Sequence, residues 1–196
     1  MSVAIIDYGA GNIQSIRFAL TRLGVSATLS CDSETIKSAS HVIFPGVGEA
    51  SSAMAKLKRT QLDTLIPKLI QPVLGICLGM QLMCNSSEEG NTKGLGIFDT
   101  EVVRFTTTLN VPHMGWNELT ILSDCPLFKR MSDSPSFYFV HSYRFEPKDS
   151  SSTVATCEYG EDFCACVQNE HIFGVQFHPE KSQHDGLTLL ENFCGL

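Results

Sequence analysis

Cys77 lies between two glycines in Gly75-Ile76-Cys77-Leu78-Gly79, directly after the apolar stretch Val73-Leu74-Gly75-Ile76. A strand running into a helix at that point would lift the middle side chain out of the sheet, as in the Gly-x-Ser-x-Gly nucleophile elbow with a thiol in place of the hydroxyl. The flanking glycines let the backbone pass closely. The first N–H groups of the following helix then face the sulfur and favour thiolate, the nucleophilic form. A thiol nucleophile wants a histidine whose tautomer is fixed by a third group. Val175-Gln176-Phe177-His178-Pro179-Glu180 offers one. In an extended segment residues i and i+2 share a side, so His178 and Glu180 can pair, and Pro179 holds His178 out of the helical region. His41 opens a strand, and His113, His171 and His184 have no carboxylate in a suitable register, while His141, in Val140-His141-Ser142-Tyr143, is a candidate ligand contact. For a metal the cysteines are poorly spaced: there is no Cys-x-x-Cys, and only Cys164-Ala165-Cys166 brings two together. Strand alternation would point that pair to one face, and no metal site or cofactor is expected.

The elements that must position these groups follow from periodicity. Val3–Ile6 reads as a first strand, followed by a turn at Tyr8-Gly9-Ala10-Gly11. Asn12 is placed to cap a helix whose apolar residues Ile13, Ile16, Ala19, Leu20 and Leu23 recur at three- and four-residue spacing, with Gly24 ending it. Residues 25–29 read as a second strand and His41–Phe44 as a third, closed by Pro45-Gly46-Val47-Gly48. Helical patterning over 51–70 is expected to kink or break at Pro67, and Val73–Ile76 is the fourth strand. Strands separated by helices imply a parallel sheet covered on both faces. Residues 85–95 read as a surface loop. Strand-like stretches then crowd together at 101–105, 116–122, 137–143, 153–159, 163–168 and 172–177, as antiparallel additions to the sheet, before a last helix over 186–193. The expected architecture is a single-domain, three-layer α/β fold spanning 1–196, its central sheet mostly parallel with antiparallel additions.

Bulk properties exclude several alternatives. The 196 residues suit one domain able to bury roughly 70% of the unfolded surface without a staple. Hydrophobic residues at 43% and charged residues at 18% are ordinary for a globular chain, and a net charge of −7 argues against nucleic acid as the main partner. The N-terminal apolar run is cut by Asp7 and lacks a basic flank, so it reads as a strand and not a signal peptide. No apolar run approaches the roughly 18 residues of a membrane span. Eight cysteines without paired spacing fit buried thiols in a reducing, cytoplasmic setting.

Three separated motifs, Pro45-Gly46-Val47-Gly48, Gly75-Ile76-Cys77-Leu78-Gly79-Met80-Gln81 and Gln176-Phe177-His178-Pro179-Glu180, resemble the class I, triad-type glutamine amidotransferases in order and spacing along nearly the whole chain. Asp7-Tyr8-Gly9-Ala10-Gly11-Asn12, Pro112-His113-Met114-Gly115-Trp116-Asn117, Tyr138-Phe139-Val140-His141-Ser142-Tyr143 and Lys181-Ser182-Gln183 narrow this. They look like the glutaminase subunits of imidazole glycerol phosphate synthases. No catalytic position departs from the pattern.

The resemblance implies that Cys77 attacks the carboxamide of L-glutamine to form a γ-glutamyl thioester, with His178 moving protons and Glu180 orienting it. Backbone N–H groups of Leu78, Val47 and Gly48 would hold the oxyanion. Gln81 and the stretch His141, Ser142 and Tyr143 would contact substrate, with Gly46 letting the backbone approach. Ammonia would pass to a cyclase subunit in a heterodimer, and Asn12, Trp116, Asn117 and Lys181 would lie at that interface. A partner-independent cysteine hydrolase of γ-glutamyl compounds would share the triad, and a silent binding module would not need it.

Overall fold

The computed structural model describes residues 1–148 and 151–196. The first half alternates as expected: β1 Val3–Ile6, α1 Ile13–Arg22, β2 Ala27–Ser30, α2 Ser33–Ser38, β3 His41–Phe44, α3 Ala50–Arg59, α4 Leu62–Leu65, β4 Val73–Ile76 and α5 Leu78–Leu82. The second half carries β5 Ser86–Ser87, β6 Thr92–Lys93, β7 Thr100–Arg104, β8 His113–Glu118, β9 Thr120–Ile121, β10 Ser136–His141, β11 Tyr143–Pro147, β12 Thr153–Glu158, β13 Asp162–Asn169 and β14 Ile172–Val175, and ends in α6 Gln183–Cys194.

Strand order in the main sheet is β2-β1-β3-β4-β14-β13-β11-β7-β5-β6, with β12 pairing β13 and β9, while β8 and β10 form a separate two-stranded antiparallel sheet. Neighbours from β2 to β14 are parallel, and β13 begins the antiparallel side. The register decides the site. Phe44 lies beside Gly75, and Ile76 beside Val175, so the segments leaving β3, β4 and β14 emerge together at one sheet edge. Ligands of open α/β sheets bind at such carboxyl ends.

Alternation along β1 sends Val3 and Ile5 to one core and Ala4 and Ile6 to the other. Ile16, Ala19 and Leu20 of α1 and Leu189, Leu190 and Phe193 of α6 cover the first face. Ile36 of α2, Met54 and Leu57 of α3 and Leu62 and Leu65 of α4 cover the second. The three layers are those the periodicity predicts.

Several expectations need correction. The helix over 51–70 breaks at Gln61, whose φ of 59° is left-handed, while Pro67 sits harmlessly at the start of a 3-10 turn where no N–H is needed. The short helix α2 was not expected; Asp32 caps it by accepting from the N–H of Thr35 at 2.8 Å. The 85–95 loop contains the paired strands β5 and β6. The 137–143 stretch is two strands in two sheets, parted at Ser142. Asn12 does not cap α1 with its side chain. Finally, Cys164 and Cys166 face opposite cores: Thr156 pairs with Cys164 and Ala155 with Cys166, so Ala165 is an extra residue in a bulge that breaks the alternation.

Candidate active site

Cys77 joins β4 to α5 with φ 53° and ψ −111°, an uncommon backbone state for a residue with a Cβ that costs on the order of 1–3 kcal/mol. Hydrogen bonds on both sides hold it there: Cys77 N–H donates to the Val175 carbonyl at 2.8 Å, and its carbonyl accepts from Gln81 N–H at 3.1 Å. The turn is pressed against the end of β3. A Cβ on Gly79 would lie 2.0 Å from the Phe44 oxygen, and one on Gly46 2.5 Å from the Gly79 nitrogen. These two glycines are therefore required by backbone contact between the 45–48 loop and the cysteine turn. Helix α5 is only five residues long, so its dipole is small, and the electrostatic help to the sulfur falls mainly on His178.

His178 arrives from β14, its side chain 2% exposed, and its Nδ1 lies 2.8 Å from Glu180 Oε1, whose side chain is fully buried. Burial opposes a charge on His178. The negative sulfur of Cys77, a hydrogen bond to it, and the Glu180 carboxylate outweigh that, and the imidazole rises from 6.5 to about 10. A histidine protonated over that range is the counter-charge a thiolate nucleophile requires. Asn12 donates Nδ2 to Glu180 Oε1 at 3.2 Å, so the triad carboxylate is held from β14's own turn and from the start of α1. The hydroxyl of Ser182 and N–H of Lys181 both bond back around this turn and fix it.

Cys77 and His178 line a cavity of about 280 Å³ together with Val47, Gly48, Leu78, Gln81, Glu89, Pro112, Val140, His141, Ser142 and Tyr143. That is just under the roughly 300–1,000 Å³ of drug-sized pockets, as suits an amino acid. Leu78 is the first residue of α5, so its N–H has no partner within the helix. A larger groove of about 570 Å³ runs between Cys31, Asp32, Lys37, Gln61 and Lys68, but no histidine lines it to serve the Cys31 thiol as a base. Among the described residues no three His, Cys, Asp or Glu side chains gather as a metal site would require.

Of the residues singled out in the sequence, ten lie in or at this cavity or its triad: Cys77, His178, Glu180, Leu78, Val47, Gly48, Gln81, His141, Ser142 and Tyr143. Gly46 does not line the cavity; it packs beneath the cysteine turn. Exposed Trp116 and Lys181 both adjoin Tyr138, Trp116 at 6.1 Å and the Lys181 ammonium at 5.7 Å, and so form one strip with Asn12 beside Glu180. Asn117 is not part of that strip. Its side chain turns inward, Oδ1 lying 2.9 Å from His113 Nε2.

Sequence reasoning missed three contributors. Tyr8 is buried and donates its hydroxyl to the Pro45 carbonyl at 2.9 Å; burial, then the nearby Cys77 charge, raise it. Gln176, fully buried, points Nε2 at the Cys77 sulfur from 3.7 Å. Glu89 is a carboxylate on the cavity wall, raised by partial burial although Ala50 N–H donates to it. The first two stood inside quoted motifs. Glu89 lay in a stretch read as surface loop and gave no signal.

A cysteine on a strand-to-helix turn, a buried His–carboxylate pair on the adjacent parallel strand and a small polar cavity define a triad-type thiol hydrolase of the α/β class. The model of the family glutamine amidotransferase class-I matches residues 4–195. A solved structure described as a glutamine amidotransferase superposes with a TM-score of 0.76 at 19% identity, covering 99% of both chains. PurLQS from Thermotoga maritima gives 0.73 at 16% identity, covering 99% of this chain and 97% of its own. Among curated relatives, imidazole glycerol phosphate synthase subunit HisH of Bacteroides fragilis is 50% identical over the whole of both chains. The HisH subunit of Haemophilus influenzae is 46% identical over 98% of this chain and 96% of its own. The chain belongs to the class-I glutamine amidotransferases, in the family of imidazole glycerol phosphate synthase subunits HisH.

Proposed function

We propose that this chain is the glutaminase subunit of an imidazole glycerol phosphate synthase, hydrolysing L-glutamine to glutamate and ammonia. The observation that carries it is the Cys77–His178–Glu180 arrangement on adjacent strand ends, in a chain 50% identical throughout to a named subunit of that enzyme. The Cys77 sulfur attacks the carboxamide carbon, and the tetrahedral oxyanion faces the N–H groups of Leu78, Val47 and Gly48. One such donor is worth about 10²–10³ in rate. The His178 imidazolium gives its proton to the departing nitrogen, releasing ammonia and leaving a γ-glutamyl thioester. Neutral His178 then takes a proton from water, which attacks the thioester and expels the sulfur, giving glutamate. Glu180 holds Nδ1–H throughout and balances the imidazolium. Gln81, His141, Ser142 and Tyr143 form the wall against the substrate, and Glu89 is placed for its α-ammonium group.

Ammonia passes to a cyclase subunit, which forms imidazole glycerol phosphate and aminoimidazole carboxamide ribotide in L-histidine biosynthesis. The strip Asn12, Lys181 and Trp116 is the docking face, and a carboxylate on the partner pairs with Lys181. Docking there touches Asn12 and so reaches Glu180 directly. The setting is cytoplasmic; no helix among the described residues is long and apolar enough to cross a membrane. Ammonia release is measured with and without the purified cyclase, for the native chain and Cys77→Ala. Partner-stimulated release that disappears in Cys77→Ala is expected. Equal release without the partner, or activity in the variant, overturns the reading.

A further inference from the structure

Six buried or half-buried residues join the β8–β10 sheet to the cysteine through hydrogen bonds alone. Gln176 donates Nε2 to the Cys77 sulfur at 3.7 Å. Gln81 donates the same amide nitrogen to Gln176 Oε1 and to the Tyr143 carbonyl, each at 2.9 Å. That carbonyl also faces His141 Nδ1 at 2.7 Å, and His141 Nε2 faces His113 Nδ1 at 3.0 Å. His113 Nε2 then meets Asn117, whose Nδ2 reaches the Glu158 carbonyl at 3.3 Å.

The proton positions are set by elimination. A carbonyl can only accept, so His141 must carry its proton on Nδ1. Neutral His141 then offers a bare Nε2, which obliges His113 to donate from Nδ1. Burial keeps both imidazoles neutral: it lowers His113 and pushes His141 to about 3. Neutral His113 is left with a bare Nε2. Asn117 faces that bare Nε2 with Oδ1 at 2.9 Å, so the bond network requires the opposite amide orientation, Nδ2 toward His113, at the cost of the 3.3 Å bond to Glu158. The ring of His113 cannot rotate to evade this. It is stacked between Tyr159, 3.9 Å away, and Phe139, 4.9 Å away, each within 22° of parallel, with Phe105 and Phe163 at its edges. The hydrogen-bond partners of the two rings among the described residues are each other, the Tyr143 carbonyl and the Asn117 amide, with no carboxylate between them.

We propose that His113 is a positioning residue of the glutaminase site: its Nδ1–H satisfies the buried Nε2 of His141 and so holds the ring whose Nδ1–H fixes the Tyr143 carbonyl and, through it, the Gln81–Gln176 amides that end on the Cys77 sulfur. Without that donor the Nε2 of His141 is a buried acceptor left unpaired, and the ring is no longer held where its Nδ1–H meets the Tyr143 oxygen at 2.7 Å, so the cavity wall shifts. The inference rests on Cys77 being the nucleophile of glutamine hydrolysis.

Two substitutions separate hydrogen bonding from packing. His113→Phe keeps the aromatic stack and removes the donor, whereas His113→Asn loses the stack but places an N–H where Nδ1 was. Assayed as ammonia release in the complex with the cyclase, His113→Phe is expected to lose about tenfold or more in kcat with KM within about twofold, and His113→Asn to stay within about threefold of native. Native kcat in His113→Phe, or a loss in His113→Asn as large as in His113→Phe, overturns the proposal. Should His113→Phe fail to fold, ¹⁵N-histidine NMR of the native chain decides: Nδ1–H on both His113 and His141 supports the chain of bonds, and Nε2–H on His113 overturns it. A native complex that releases no ammonia defeats the proposed function, and the NMR measurement then still tests the hydrogen-bond chain by itself.

Discussion

Gly79→Ala is the substitution whose consequence the structure sets most tightly. The added Cβ would sit 2.0 Å from the Phe44 oxygen, 3.0 Å from the Phe44 carbon and 3.3 Å from the Pro45 carbon, all of them backbone atoms that no rotamer change can move. Unbonded carbon and oxygen need about 3.0 Å or more, so the cysteine turn and the end of β3 must part by about 1 Å. Both move the site: one carries Cys77 and Leu78, and the other feeds the 45–48 loop on the facing wall. A misplacement of about 1 Å costs on the order of 10² in rate, and more where an oxyanion donor is also lost. Overpacking of this kind costs about 1–3 kcal/mol, which lowers Tm by roughly 2–12 °C for a chain of this length. The assay is ammonia release in the cyclase complex, with Tm measured alongside. If kcat stays within about threefold while Tm moves by less than about 1 °C, the two segments do not depend on their backbone contact, and the reasoning fails.

Cys77→Ala abolishes ammonia release and also lowers the titration midpoint of His178 from about 10, since the sulfur charge is first among the causes that raise it; the His178 ring signal in an NMR titration reads this directly. In the native chain His178 holds its proton well above its ordinary 6.5, so its charge interactions stabilise the fold fully below pH 6.5 and are lost as the pH rises through about 10. Thermal melts of native chain and His178→Asn are therefore expected to differ most at the acid end of that window and to converge towards pH 10; a gap that widens with pH contradicts the sign. Glu180→Gln keeps the shape but loses the charge and the fixed tautomer, and kcat falls by about tenfold or more; a loss no larger than twofold shows that another group orients the ring. Tyr8→Phe leaves the Pro45 carbonyl without its buried donor and costs about 1–3 kcal/mol, seen in denaturant melts, with reduced turnover because the 45–48 loop loosens.

Much of the site was legible because its chemistry is carried by short contiguous motifs. Gly75 to Gly79 states a strand, a tight turn and a thiol, and His178-Pro179-Glu180 states a base and its carboxylate in register. Local patterning also predicted the alternating first half and the two covered faces of the sheet. What went unread was long-range. Asn12 has the residue type and place of a helix cap, yet Glu180, 168 residues later, is its partner. Gln176 reads as part of a strand end until β14 is laid beside β4 and its amide meets the sulfur. His113, set aside for want of a nearby carboxylate, is bonded to His141 across the β8–β10 sheet.

Sequence by itself determined which groups can react. A cysteine between glycines after a strand, and a histidine spaced two from a carboxylate, are fixed by covalent order and by the period of an extended chain. Only the tertiary structure decided that they react together. The parallel pairing of β4 with β14 and of β3 with β4 sets the ends of three distant segments side by side, and a shift of one residue in either register would turn the side chains to the opposite face. The hydrogen-bond partners that hold these groups in place, Asn12 for Glu180 and His113 for His141, likewise exist only once those registers are made.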